Sequence, residues 1–139
     1  MIDTNVISGL CQKAIDMRSD SYAPYSDFLV GSALLTEDGK VFTGCNIENS
    51  AFGPSNCAER TAIFKAVSEG CRDFAAIAIA GGKRDGELQY CAPCGVCRQV
   101  MREFSKPSFK IYLAKSADDY REYTLGELLP ESFGPENLE

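Results

Sequence analysis

The sequence contains no histidine and no tryptophan. Without histidine it lacks the side chain that titrates nearest neutral pH and the commonest metal ligand. Acid–base chemistry in this chain must therefore use a carboxylate, a thiol, a phenol or an amine. Positive charge is also scarce, with 14 Lys and Arg against 20 Asp and Glu and a formal net charge of -6. So acidic a surface suits neither DNA nor RNA, whose binding rests on neutralised phosphates, and no nucleic-acid partner is expected. No apolar run approaches the roughly 20 residues that span a bilayer, so no membrane partner is expected. Met1-Ile2-Asp3-Thr4-Asn5 lacks the basic and apolar regions of a secretory signal, and the expected location is cytoplasmic. Neither a repeat nor a linker interrupts the 139 residues, and 45% apolar content is enough to pack a core. One domain over residues 1–139 is expected.

Cysteine, by contrast, is plentiful: there are seven. An odd number excludes a complete set of intramolecular disulfides. In a reducing compartment, clustered cysteines point instead to metal or catalytic sites.

Apolar periodicity places the elements. Ile7, Leu10, Cys11, Ala14 and Ile15 share one face of a helix over roughly residues 5–19, which Pro24 ends. Residues 28–36 and 40–46 flank Glu37-Asp38-Gly39 and read as a hairpin. A second helix begins near Cys57, with Ala58, Ala62, Ile63, Ala66 and Val67 as its stripe and Gly70 as its stop. Residues 74–80 are wholly apolar, as in a buried, parallel strand. A polar loop follows over 81–90, then a helix from Pro93-Cys94 to about Phe104, and a strand over 109–114. Thr124 with Glu127 and Pro130 marks a short capped helix. The order predicts an α/β fold, a mixed sheet covered by helices.

Two segments carry chemistry: Cys57-Ala58-Glu59 and Pro93-Cys94-Gly95-Val96-Cys97. Each opens a predicted helix after a loop, so two helix N-termini can meet at one point. Three thiolates on zinc leave a fourth tetrahedral position for water, the catalytic rather than the structural arrangement. Glu59 reaches that water without binding the metal, and the paired pattern is the signature of zinc nucleobase deaminases. A single carboxylate acting as base and then as acid is how a chain without histidine runs such a reaction. Three negative sulfurs need an offset, which the helix dipoles and a hydrogen bond from Arg60 would supply. The residues alone also admit a closed four-thiolate structural site through Cys91, and Cys-x-x-Cys by itself is a weak signal. Cys11, Cys45 and Cys71 read as buried small hydrophobes. By default Glu59 is an ordinary first-turn glutamate, Asn46 and Glu48 are turn residues, and Phe28 is core.

Four stretches in register, Ala23-Pro24-Tyr25-Ser26-Asp27-Phe28-Leu29-Val30-Gly31, Gly44-Cys45-Asn46-Ile47-Glu48-Asn49, Asn56-Cys57-Ala58-Glu59-Arg60-Thr61-Ala62 and Pro93-Cys94-Gly95-Val96-Cys97-Arg98-Gln99-Val100, resemble the small homotetrameric cytidine deaminases. Glu127-Leu128-Leu129-Pro130 and Phe133 extend the likeness towards the C-terminus. The resemblance implies a three-layer α/β/α sandwich around a mixed five-stranded sheet. It implies zinc-dependent hydrolysis of cytidine and deoxycytidine to uridine and deoxyuridine with release of ammonia, a pyrimidine-salvage reaction. One Zn²⁺ per subunit is held by Cys57, Cys94 and Cys97, with Glu59 as the proton shuttle. Phe28 stacks on the pyrimidine, Asn46 and Glu48 hold a sugar hydroxyl, the Ala58 backbone contacts the base, and Arg60 neutralises the cluster. Phe52 and Phe133 approach a neighbouring subunit's site in a homotetramer. Phe52 departs from the tyrosine that many members carry, and Cys91 has no place in the family pattern. Three other readings compete: a deaminase of another aminopyrimidine nucleoside such as an aminonucleoside antibiotic, a polynucleotide editor, which the acidic balance opposes, and a non-catalytic zinc-stabilised binding module.

Overall fold

The computed structural model describes all 139 residues. Its elements run α1 (Thr4–Met17), β1 (Phe28–Thr36), β2 (Val41–Cys45), α2 (Ala58–Ser68), β3 (Phe74–Lys83), α3 (Gly95–Phe104), β4 (Lys110–Ala114), β5 (Tyr120–Thr124) and α4 (Leu125–Leu128), with 3-10 turns at Arg18–Asp20 and Pro135–Leu138. The five strands form one sheet in the order β2-β1-β3-β4-β5. Only β3 and β4 are parallel; the other pairs are antiparallel, so the sheet is mixed.

The central strand shows why three layers form. In β3 the large residues Ile77 and Ile79 point to one face and the small residues Ala76, Ala78 and Ala80 to the other. The small side meets α1 through Ile7, Leu10, Cys11 and Ala14. There the approach is close, because a Cβ at Gly31 would stand 1.9 Å from the Ala14 carbonyl oxygen. The large side packs on Ala62, Ile63 and Ala66 of α2 and Cys97 and Met101 of α3. No helix is long and apolar enough to cross a membrane.

Two expectations from periodicity need correction. Apolar patterning marks four strands, and the fifth, Tyr120–Thr124, carries no such pattern. Tyr-Arg-Glu-Tyr-Thr is an edge strand, largely solvated, and its charged residues blunt the free edge instead of showing an apolar alternation. The apolar run at 74–80 is parallel on one side only, and its strand continues through Gly81 and Gly82, which composition assigns to the loop. Thr124 and Glu127 do form the capping box of α4.

Candidate active site

Helices α2 and α3 begin at Cys57 and Cys94, each the N-cap residue of its helix. Their placement follows from local packing. Gly44 of β2 lies under the first turn of α2, where a Cβ would stand 2.4 Å from the Ala58 carbonyl oxygen. Ser32 of β1 donates to that same carbonyl at 2.8 Å, and Thr61 donates to the Cys45 carbonyl at 3.0 Å. On α3, the Cys97 amide donates to Cys94 Sγ at 3.5 Å and Arg98 donates back to the Pro93 carbonyl at 2.7 Å.

The result is a sulfur cluster. Cys57, Cys94 and Cys97 place their Sγ atoms within 4.8 Å of one another. Cys57 Sγ and Cys94 Sγ are 3.7 Å apart, close to the roughly 3.8 Å that tetrahedral zinc–thiolate bonds impose. Cys91 lies outside the cluster, which removes the geometry of a closed four-thiolate site. None of the seven cysteines is paired.

Electrostatics at the cluster are unusual. A hydrogen bond from Cys97, then those from Arg60 and Cys94, holds the Cys57 thiol down at about 5. The same bond pushes Cys97 far up, so the metal-free cluster retains protons that a dication would displace. Arg60 Nη2 donates to Cys57 Sγ at 3.3 Å, and its pKa is raised chiefly by that bond. Arg60 Nε is buried with no partner. Glu59 is only 3% exposed, and desolvation raises its carboxyl to about 7. A carboxylate shifted into this range gives up and takes back a proton near neutral pH, while an adjacent dication would draw it down.

A cavity of about 340 Å³ opens on the cluster, walled by Cys57, Ala58, Glu59, Arg60 and Cys94 on one side and by Val30, Asn46 and Glu48 on the other. Cys91 also lines it, and burial pushes that thiol up to about 11. Asn46 spends part of its amide on β1, donating to the Phe28 carbonyl at 2.8 Å and accepting from the Val30 amide at 2.9 Å. Glu48 accepts from the backbone amides of Tyr25 at 2.9 Å and Ser26 at 3.2 Å, and from the Ser26 hydroxyl.

Phe28 is not part of this wall. Its half-buried ring sits beside Cys91 over Gly81, where a Cβ would meet Cys91 Sγ at 2.7 Å and the ring at 3.1 Å. Phe52 and Phe133 are also away from the cavity and are 70% and 59% exposed. Phe52 holds a left-handed backbone conformation (φ 62°) and meets Tyr25 edge to face at 5.8 Å. Sequence reasoning assigned no role to Ser26, although a serine within a Pro-containing turn is a signal for side chain to backbone bonding.

The description "cytidine and deoxycytidylate deaminase zinc-binding region" belongs to a family model that matches residues 5–113. The chain belongs to this deaminase family. It is similar to the cytidine deaminase of Sporosarcina psychrophila, 50% identical over 121 residues that span 87% of this chain and 86% of that one. The cytidine deaminase of Halalkalibacterium halodurans is 48% identical over 129 residues, 93% of this chain and 95% of that one. A crystal structure of cytidine deaminase from Burkholderia pseudomallei superposes with a TM-score of 0.80 at 50% identity, covering 90% of this chain and 97% of that one. Zinc is the family's metal, and the cluster fits it in donor type, sulfur spacing and charge offset.

Proposed function

We propose that this deaminase-family chain hydrolyses cytidine and deoxycytidine to uridine and deoxyuridine, releasing ammonia for pyrimidine salvage. The observation that carries the reading is the open three-sulfur cluster beside a buried carboxylate, both at one wall of a nucleoside-sized cavity. Cys57, Cys94 and Cys97 hold one zinc ion. Bound zinc supplies a Lewis acid that lowers the pKa of water at its open position. Glu59 would take one proton from the attacking water and give it to the ring nitrogen as the water oxygen bonds to the amine-bearing carbon. It would then carry that oxygen's second proton to the amine, so that the C–N bond breaks, ammonia leaves and a carbonyl remains. Its burial keeps bulk water from competing for the proton. Arg60 offsets the sulfur charge, and the first turn of α2 at Ala58 orients the base.

At the far wall, hydrogen-bond capacity explains how a sugar hydroxyl is held. Asn46 retains one N–H after its bond to Phe28, and Glu48 retains one acceptor site beyond the three bonds that it receives. Together they offer one donor and one acceptor, the complement of a hydroxyl. Phe28, whose ring lies beside Cys91, is the aromatic face assigned to the pyrimidine.

The chain acts as one catalytic domain over residues 1–139 in a cytoplasmic homotetramer. Seven unpaired cysteines suit a reducing compartment. Exposed Phe52, Phe64, Val96 and Phe133 are what an assembly would cover, Phe52 and Phe133 at a neighbour's site.

An ultraviolet assay of cytidine conversion tests the reading, run on zinc-loaded protein, metal-stripped protein and Glu59→Gln. Turnover by the zinc-loaded wild type alone supports it. A folded, zinc-loaded protein that leaves cytidine untouched would overturn the substrate and direct the assay to other aminopyrimidine nucleosides.

A further inference from the structure

Between the two residues assigned to the nucleoside, Phe28 and Glu48, lies one hydroxyl. Ser26 Oγ donates to Glu48 Oε2 and accepts from the Phe28 amide at 3.0 Å. The Ser26 amide donates to the other Glu48 oxygen at 3.2 Å, joined there by the Tyr25 amide at 2.9 Å. On the opposite side of Phe28, its carbonyl accepts from Asn46 at 2.8 Å. Both backbone polar groups of Phe28 are thus held by side chains, one through Ser26 and one through Asn46.

The turn that carries Ser26 is itself braced. Asp27 takes a left-handed conformation (φ 56°), uncommon for a residue with a Cβ. Its carboxylate accepts from Arg84 Nε at 2.8 Å, and its carbonyl accepts from the Arg84 amide at 3.0 Å. Lys83 Nζ donates to the Ser26 carbonyl at 2.7 Å. A segment anchored this way is poised before any ligand arrives, which lowers the ordering cost of binding.

We infer that Ser26 is a positioning residue for the nucleoside, its hydroxyl fixing the Glu48 carboxylate and the Phe28 backbone in one arrangement so that sugar and base are gripped in register. The inference rests on the proposed assignment of Glu48 to a sugar hydroxyl. Without the Ser26 hydroxyl, Glu48 loses one of its three donors and the freed carboxylate turns towards water. The Phe28 amide loses its acceptor as well. Neither change touches the sulfur cluster or Glu59, so the defect falls on binding and not on proton transfer. Ser26 also weights the charge state of Glu48: its hydrogen bond is the main reason why that carboxyl stays below the usual range.

The test compares Ser26→Ala, Ser26→Thr and Glu48→Gln on cytidine and on 2′,3′-dideoxycytidine, with zinc content measured in each. For Ser26→Ala we expect KM for cytidine to rise about tenfold with kcat within about twofold of wild type and zinc unchanged, the loss of one charge-assisted hydrogen bond. On the dideoxy substrate, which keeps the 5′-hydroxyl but has no 2′- or 3′-hydroxyl for Glu48 to hold, the rise should shrink to about threefold or less. Ser26→Thr, which keeps the hydroxyl, should restore most of the cytidine KM. An equal rise on both substrates, or a fall in kcat with no change in KM, would overturn the inference by making Ser26 a purely structural residue. A raised cytidine KM in Glu48→Gln beside an unchanged one in Ser26→Ala overturns the inference alone. An unchanged KM in Glu48→Gln overturns the Glu48 assignment and the inference together.

Discussion

At one end of the cavity three sulfurs, a buried carboxylate and one guanidinium face each other with much of their charge unanswered. At the other end Asn46 and Glu48 have committed most of their hydrogen bonds to residues 25–30. The first end is completed only by an ion, and without it the thiols fall back on one another for protons. The second end is complete in the free protein and keeps just enough capacity for one hydroxyl. The contrast matches the part that each end plays in the proposed reaction. Chemistry needs groups whose protonation is easily changed, whereas recognition needs groups that do not move. It follows that the two ends should fail separately, one in metal content and turnover, the other in KM.

The largest effect should come from Cys94→Ala. Removing one of three sulfurs leaves two thiolates, too few to hold zinc tightly, so bound zinc should drop by more than about 100-fold in affinity and turnover should fall to background. Folding should persist with a loss of only about 1 kcal/mol from the helix cap. Metal analysis beside circular dichroism checks both halves. A variant that keeps zinc and activity would dissolve the contrast, because the first end would no longer depend on its ion.

Glu59→Gln sharpens the contrast within the thiolate end. It removes the proton carrier and leaves the sulfurs in place, so kcat should fall by about 1,000-fold while zinc content stays at the wild-type level. Here the sign of the change in KM is informative. Glutamine is a neutral mimic of the protonated carboxyl, so binding should be kept or tightened, and a strongly raised KM would place Glu59 in recognition instead of proton transfer. Equal losses of zinc and turnover would make Glu59 part of the metal's support.

The next effect belongs to the recognition end. Glu48→Gln keeps the size of the side chain but halves its acceptors, so the Tyr25 and Ser26 donors and the sugar hydroxyl compete for one oxygen. KM for cytidine should rise about tenfold and zinc should be unaffected. Steady-state kinetics over a range of cytidine concentrations read this directly. Zinc loss in this variant would show that the two ends are one unit.

The thiolate end was legible in the sequence and the recognition end only partly so, for a physical reason. The sulfurs Cys57, Cys94 and Cys97 and the proposed shuttle Glu59 all sit at or just inside two helix starts, so their spacing is visible in the chain. The same holds for helices α1 to α3, whose apolar periodicity reports one buried face. The proposed roles of Asn46, Glu48 and Phe28 came only through resemblance, since each is by itself an ordinary turn or strand residue, and only the folded chain sets Asn46 and Glu48 against residues 25–30. Ser26 carried only the signal of a serine in a Pro-containing turn, which does not show that its partner is Glu48. The edge strand Tyr120–Thr124 escaped because it hides no alternating apolar face.

Arg102 went unseen because it reads as the solvated end of α3, yet the chain beyond α4 folds over it and leaves it 8% exposed. Its guanidinium donates to Glu136 at 2.8 and 3.2 Å, to Ser132 Oγ at 2.9 Å and to the Ser105 carbonyl at 3.5 Å. Gln99 donates to the Phe133 carbonyl at 3.0 Å, and Arg98 to the Leu128 carbonyl at 2.6 Å. The helix that presents Cys97 is thus also the dock for the C-terminal segment. Arg102→Met keeps the stem's volume and removes the donors, so it should lower stability by about 2 kcal/mol and loosen this segment with zinc and kcat nearly unchanged. Thermal melts and limited proteolysis read the two parts. The pH dependence has a definite sign. Arg102's hydrogen bonds hold the Glu136 carboxyl below its ordinary value, so its stabilising contribution is present above the usual carboxylate range and is lost as pH falls through the lowered value. The melting difference between wild type and Glu136→Gln should therefore be small but present at pH 7 and should shrink as pH falls below the ordinary carboxylate range. A difference that grows on acidification would mean that Glu136 is held by something other than the Arg102 charge.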